Sequence, residues 1–250
     1  MMQYKVLLLT SGKSNIINTI KKTIKLKKNF FSIKAICSDK DLDFNKDIYF
    51  LNTKNTKSEK KILKIINKNE INFILSFTYK WLVSEKVLKS VNYRAFNIHG
   101  AKLSQYRGNH TSIFPILDSR KNTYVEVHHM NKFCDSGKVI ITKKIKISDD
   151  DTGETLSNKI IKTGSNLLKF FLTITCKNKN FLENFIKNIS HDKKLSSKFG
   201  KTQSIHKLKK INNLHNLKEV ISKTRAFDWI NYEPAYIILN KQKIYLRLKK

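Results

Sequence analysis

"INFILSFTYKWLVSEKVLKSVNYRAFNIH", residues 71–99, is the stretch from which the fold can be read. Its first seven residues form a short apolar run, too short for a helix and followed by a polar turn, so they read as a buried strand. EKVLKSV (85–91) repeats apolar residues at helical spacing, and RAFNIH (94–99) returns to a strand pattern. Parallel neighbours need a crossover between them, so strand, helix, strand is the unit of a wound parallel sheet.

The same alternation extends outward. YKVLLLT (4–10) and FFSIKAICS (30–38) read as strands around the helical NIINTIKKTIKLKK (15–28), and SEKKILKIINK (58–68) reads as a helix opening on a serine cap. Beyond residue 110, TSIFPILDS (111–119) is helical with a proline inside, and TYVEVHHM (123–130) and KVIITKKIKI (138–147) are strands. DTGETLSNKIIKTGSNLLKFFLTI (151–174) is a long helix with a threonine cap.

A polar Lys- and Ser-rich segment covers about 188–212 and marks a boundary. The tail pairs a helix, LKEVISKTRAF (217–227), with two strand-like runs around Asn240-Lys241, which reads as a hairpin. The expected class is therefore α/β: a Rossmann-like wound, mostly parallel sheet in a catalytic domain at 1–187, followed by a small C-terminal loop, helix and β-hairpin region at 188–250.

The formal net charge of +31 on 250 residues suits a polyanion partner, since clustered Lys and Arg neutralise phosphates. Lys, Asn and Ile run through every expected element, however, while Gly (7) and Pro (2) are scarce, which is the pattern of compositional bias. A nucleic-acid partner is not expected. No apolar run reaches membrane-spanning length and the N-terminal run is too short for a secretory signal, so a cytoplasmic protein with no membrane partner is expected. Cys37, Cys134 and Cys176 are odd in number and lack metal-ligand spacing, so reduced thiols and no metal are expected.

SGKS (11–14) follows a strand and precedes a helix, as a phosphate-binding loop would. That loop needs a glycine five positions before Gly12, where this chain has Leu7. Asn97 and His99 carry more information. Residues two apart on a strand share a face, so both converge where the strand leaves the sheet, the end at which wound sheets bind ligands. Asp135, in FCDSGKVI beside a turn glycine, supplies a third group. An amide, an imidazole and a carboxylate together can polarise a carbonyl, accept a proton from an amine and orient the imidazole. His128 and His129 alternate on their strand, so at most one faces the site.

These pieces resemble a family. FNIHGAKLSQYRG (96–108) is similar to the signature of folate-dependent formyltransferases, an Asn-x-His followed by a Leu-Pro-x-Tyr-Arg-Gly-like stretch. VEVHHMNKFCDSGKVI (125–140) resembles that family's His-bearing strand, loop and Asp-Ser/Thr-Gly turn, and DDDTGETLSNKI (149–160) resembles the element that follows. NIHGAKL (97–103) looks more like the sugar N-formyltransferases than the methionyl-tRNA branch, and RAFDWINYEPAYIILNKQKIYL (225–246) is similar to the end of enzymes that formylate nucleotide-linked amino sugars. Ser104 stands where proline is usual, and Lys138 follows the Asp-Ser-Gly turn where the tRNA enzymes often have an acid.

The resemblance implies Asn97, His99 and Asp135 as catalytic residues, 10-formyltetrahydrofolate as donor and a nucleotide-linked amino sugar as acceptor. A dTDP-4-amino-4,6-dideoxyglucose is the leading candidate, with a dTDP-3-amino sugar, methionyl-tRNA or glycinamide ribonucleotide as alternatives, and a basic RNA-binding module as the alternative outside enzymes. Phe77, Tyr79, Trp81, Asp149, Asp151 and Thr152 are candidates for holding the folate. Lys102 and Arg107 are candidates for the diphosphate, Trp229 and Tyr232 for the base, and the hairpin for a homodimer contact.

Overall fold

A computed structural model describes residues 3–11, 14–38, 49–52, 59–178, 180–187, 197–200 and 202–248. The chain opens with β1 (Tyr4–Thr10), α1 (Ser14–Lys25), β2 (Phe31–Ser38), β3 (Tyr49–Asn52), α2 (Glu59–Lys68), β4 (Phe73–Phe77), α3 (Glu85–Ser90) and β5 (Ala95–His99). Next come β6 (Tyr106–Gly108), α4 (Phe114–Leu117), β7 (Asn122–His129), β8 (Val139–Lys146) and α5 (Gly153–Lys177). The remainder is α6 (Phe181–Lys187), β9 (Lys198–Gly200), α7 (Thr202–Leu208), α8 (Leu217–Ala226), β10 (Ala235–Leu239) and β11 (Gln242–Leu246).

Among the described residues seven strands form one sheet in the order β3-β2-β1-β4-β5-β7-β8. The pairs β1 with β2, β1 with β4, β2 with β3 and β4 with β5 are parallel, and β7 runs antiparallel to β5. This is the wound, mostly parallel α/β sheet expected from the alternation. The order reverses beside β1, and there Ser11 Oγ and Thr78 Oγ1, just past the carboxyl ends of β1 and β4, lie 2.9 Å apart. Gly12, Lys13 and Ser58 lie outside the described residues, so neither the SGKS turn nor the serine cap of α2 is described.

The described chain divides into two compact units, residues 1–99, 126–141 and 164–195 in one, and 100–125, 142–163 and 196–250 in the other. The region expected at 188–250 thus shares its unit, from Ser196 on, with two earlier segments. In the first unit, one sheet face carries a row of rings. Tyr4 stacks on Phe31 (5.3 Å between centroids), Phe31 meets Phe73 (5.6 Å), Phe73 meets Phe96 (5.6 Å), and Phe96 meets Phe171 (5.2 Å). The other face packs Leu7, Leu9 and Ile74 against Ile62, Ile65 and Ile66 of α2 and Val87 and Leu88 of α3. Each buried Leu, Ile or Phe contributes about 1.5–3 kcal/mol relative to exposure, so this two-faced core holds the sheet's carboxyl ends in place.

Gly164 lets α5 settle on that sheet, because a Cβ there would meet the Phe77 ring at 2.5 Å and Ile98 at 3.3 Å. Among the described residues no helix is long and apolar enough to cross a membrane.

In the second unit β10 and β11 pair antiparallel from Ala235↔Leu246 to Leu239↔Gln242. Asn240 (φ 47°) and Lys241 (φ 64°) both sit in the left-handed region, as a two-residue type I′ turn requires, so the expected hairpin is present. The start of α5 is tied down by two threonines that bond each other's backbone: Thr155 N–H donates to Thr152 Oγ1 (3.2 Å) and Thr152 N–H to Thr155 Oγ1 (2.9 Å). Asp151 underpins this cap, accepting from Ser148 N–H (2.7 Å), Lys159 Nζ (2.7 Å) and Thr155 Oγ1 (3.0 Å).

Burial of Asp151 pushes its carboxyl pKa up, but Lys159, the Ser148 N–H and the Thr155 hydroxyl outweigh it and hold the group below its ordinary 3.8. A depressed carboxyl contributes stability that is present above its unfolded value and lost as pH falls through the folded one. Asp151→Asn is therefore expected to lower Tm at neutral pH, with the gap to wild type closing only below about pH 3.8. Thermal melts of both proteins across that range check this, and equal melting at pH 7 would remove the role from Asp151.

Candidate active site

β5 ends at His99, and its last residues set the site. Asn97 is half-buried and His99 is buried, two apart on one strand and so on one face. The antiparallel partner β7 places His128 opposite Asn97 and Glu126 opposite His99. After β7 the loop returns Asp135 to the same spot in a left-handed backbone conformation (φ 43°), which is uncommon for any residue but glycine and, to a lesser degree, Asn and Asp.

The side chains form one cluster. Asn97 Nδ2 donates to Asp135 Oδ1 (3.2 Å) and lies 3.1 Å from His128 Nε2. His128 Nδ1 is 2.8 Å from the His129 carbonyl oxygen, an acceptor only, so Nδ1 carries the hydrogen and Nε2 presents a lone pair to the Asn97 amide. His99 Nδ1 stands 3.5 Å from Asp135 Oδ2, and Asp135 Oδ1 stands 3.5 Å from His128 Nε2. The Cys134 thiol also donates to Asp135 Oδ2 (3.3 Å). One nearly enclosed carboxylate, its side chain 12% exposed, thus faces an amide, a thiol and two imidazoles.

That arrangement has a direct chemical reading. Asp135 is placed where it can orient the His99 ring and balance a positive charge on it, while the Asn97 amide is a donor held in one orientation by two acceptors. His129 turns away, its Nε2 2.8 Å from the Tyr93 carbonyl oxygen, so of the two neighbouring histidines only His128 enters the site. Sequence reasoning left His128 and Glu126 out of the candidate set. The available signal was strand period and register: once β7 pairs with Asn97 and His99, every second residue of VEVHH must face them.

His128→Phe keeps a ring of similar size and removes the acceptor that orients Asn97. We expect kcat to fall about tenfold with little change in KM, read from initial rates of turnover. A KM effect alone would make His128 a packing residue.

The remaining candidates are placed as follows. Phe77 is a core side chain, 1% exposed, Tyr79 packs against the core of the first unit, and Trp81 is 50% exposed. Asp149 is exposed and paired with Lys121 (3.1 Å), while Asp151 and Thr152 build the α5 cap. Lys102 Nζ sits 5.4 Å from the centre of the Tyr124 ring. Arg107 is buried and donates to Ser197 Oγ (3.0 Å). Trp229 and Tyr232 meet edge to face at 5.6 Å, with Tyr232 66% exposed. The structure brings Asn97, His99 and Asp135 together; the side chains of Phe77, Asp151, Thr152 and Arg107 are engaged in packing, capping or hydrogen bonds within their own unit.

Comparison with known proteins bears on the fold and the family. The chain is 32% identical over 119 residues to the bifunctional polymyxin resistance protein ArnA of Wigglesworthia glossinidia brevipalpis, a match covering 48% of this chain and 18% of that protein. A 4-N formyltransferase from Francisella tularensis superposes with a TM-score of 0.75 at 19% identity, over 99% of this chain and 98% of that one. An N-formyltransferase from Helicobacter canadensis, in complex with folinic acid and dTDP-3-aminofucose, does so with a TM-score of 0.63 at 20% identity, over 97% and 86%. At such identities the two structures speak to the fold. The formyl transferase model itself matches residues 4–171, a span that contains Asn97, His99, His128 and Asp135, and so the chain belongs to the formyl transferase family.

Proposed function

We propose that the protein moves a formyl group from 10-formyltetrahydrofolate to the primary amine of a nucleotide-linked amino sugar, with dTDP-4-amino-4,6-dideoxyglucose the leading acceptor and surface polysaccharide (O-antigen, lipopolysaccharide) synthesis the setting. The observation that carries the reading is the Asn97, His99, Asp135 cluster at the end of β5 in a chain of the formyl transferase family. The sugar acceptor is further supported by likeness over 99% of this chain and 98% of that one to the Francisella 4-N formyltransferase.

In this reading the free amine attacks the formyl carbon and the carbonyl oxygen becomes an oxyanion. Asn97 donates to that oxyanion, exchanging its longer 3.2 Å bond to Asp135 for the new acceptor. His99 accepts the proton released by the amine, with Asp135 stabilising the resulting imidazolium. Collapse of the tetrahedral intermediate breaks the bond to the folate nitrogen, which recovers a proton as the formamide forms. The donor needs no metal, and the chain's own residues supply orientation and proton transfer.

Phe77, Tyr79, Trp81 and the Asp149 to Thr152 loop remain proposed for the folate, and Lys102, Arg107, Trp229 and Tyr232 for the nucleotide. A homodimer is proposed through the hairpin, where Ile238 and Leu239 of β10 and Ile244 and Tyr245 of β11 are between 44% and 57% exposed.

The test is mass spectrometry of purified protein with 10-formyltetrahydrofolate and a panel of nucleotide-linked 3-amino and 4-amino sugars, with His99→Ala as control. One added formyl mass on the 4-amino sugar, absent with the variant, supports the proposal; a gain on the 3-amino sugar shifts the acceptor within the class. No gain on any sugar, with formylation of methionyl-tRNA or glycinamide ribonucleotide instead, would overturn the acceptor class.

A further inference from the structure

The second compact unit contains a cavity of about 390 Å³ that shares no residue with the Asn97, His99, His128, Asp135 cluster and meets the loop proposed for the folate only at Asp149. Its apolar wall comes from Ile116, Ile147 and Ile221, and Arg120, Lys218 and Arg225 supply positive charge around it. The lining carboxylate, Asp149, is already paired with Lys121 at 3.1 Å, so the charge left facing the cavity is positive.

Arg225 is held rigidly. Its Nε donates to the Asp151 carbonyl oxygen (2.9 Å) and its Nη2 to that of Ser148 (2.7 Å), leaving the Nη1 edge of a fixed guanidinium uncommitted among the described residues. Arg120 is steered by the Tyr106 hydroxyl, 3.4 Å from its Nε. The wall is only partly covered by the protein itself, since Ile221 is 54% exposed on α8. Volume, apolar wall and oriented cations are the ingredients of a small-molecule site rather than of a surface ion-pair patch.

We propose that this cavity binds a small organic anion that carries two or more negative charges on an apolar body. An apolar wall selects against inorganic phosphate alone, and the cations select against a neutral ligand. Two kinds of molecule have this chemistry, a nucleoside diphosphate and a folate with its glutamate carboxylates, and direct binding separates them.

Isothermal titration of the full chain with dTDP, with 5-formyltetrahydrofolate and with inorganic phosphate is the experiment. It is run on wild type, Ile221→Glu, Lys218→Glu and, as a charge-matched control away from the cavity, Lys241→Glu. Both cavity residues are exposed helix positions, so the variants keep the fold. The expected result is at least tenfold weaker binding of one of the two organic anions by Ile221→Glu and Lys218→Glu, with Lys241→Glu unchanged; the ligand affected identifies the source. The proposal is overturned if neither organic anion binds wild type, if phosphate alone binds as tightly as both, or if the cavity variants bind as wild type does. Failure of formyl transfer with the cavity effect intact would sink the proposed function and leave this site standing.

Discussion

Turnover by Asn97→Ala is expected to fall at least a hundredfold, with His99→Ala comparable and substrate binding largely retained. The amide nitrogen of Asn97 sits between two acceptors, Asp135 Oδ1 at 3.2 Å and His128 Nε2 at 3.1 Å, which fix its orientation before any substrate arrives. Losing one preorganised donor to a developing oxyanion costs about 3–4 kcal/mol of barrier, because the interaction is made chiefly in the transition state. Such a loss appears in kcat rather than KM. Asn97→Asp is a sharper probe, since it keeps the shape, removes the donor and sets a carboxylate against Asp135. It is expected to be as impaired as the alanine variant. The double variant Asn97→Ala, His99→Ala should be little worse than either single one, because groups that act as a unit do not contribute additively. Steady-state kinetics on the acceptor identified by mass spectrometry decides this, and near wild-type turnover in either single variant would remove the cluster from the chemistry.

The core of that cluster was legible because strand geometry is simple. Asn97 and His99 lie two apart before a glycine, and a period of two leaves them no choice but to share a face. The wound sheet was legible for the same reason, with β1 at 4–10 as read and β2, β4 and β5 displaced by no more than two residues. The hairpin turn was legible because Asn tolerates the left-handed backbone that a two-residue loop demands.

What was hidden depends on pairing across the chain. His128 and Glu126 face the site only because β7 runs antiparallel to β5 in one register, and nothing local to VEVHH states that register. β3 escaped notice as a four-residue edge strand with too few residues to show a period. Asp151 and Thr152 lie in a loop proposed to close over the folate, yet their side chains also satisfy the first turn of α5, a demand that every helix start makes. Phe77 is a similar case, since a large aromatic at a strand end serves the core before it serves a ligand.

Gly137→Ala is expected to cost about 3 kcal/mol of stability, the upper end of what overpacking costs, and most of the activity. A Cβ at this position would lie 1.6 Å from the His129 carbonyl oxygen and 2.7 Å from its carbon, a collision with backbone that no side-chain rotation relieves. The strand and the loop must therefore separate. That separation disturbs the bond from His129 N–H to the Lys138 carbonyl (2.9 Å), which closes the loop. It also moves the His129 carbonyl that fixes the His128 hydrogen on Nδ1. With His128 unlocked and the loop displaced, Asp135, two residues before the glycine, loses its register against Asn97 and His99. Ser136→Ala, one residue away, is the control. Its hydroxyl donates to the Cys134 carbonyl (3.0 Å), a neutral hydrogen bond whose loss should cost about 1 kcal/mol. Urea unfolding and turnover measured on both variants separate the two cases. A Gly137→Ala protein that unfolds and turns over like Ser136→Ala would mean that the loop has slack this backbone does not show, and that Asp135 is held by its side-chain partners rather than by the turn.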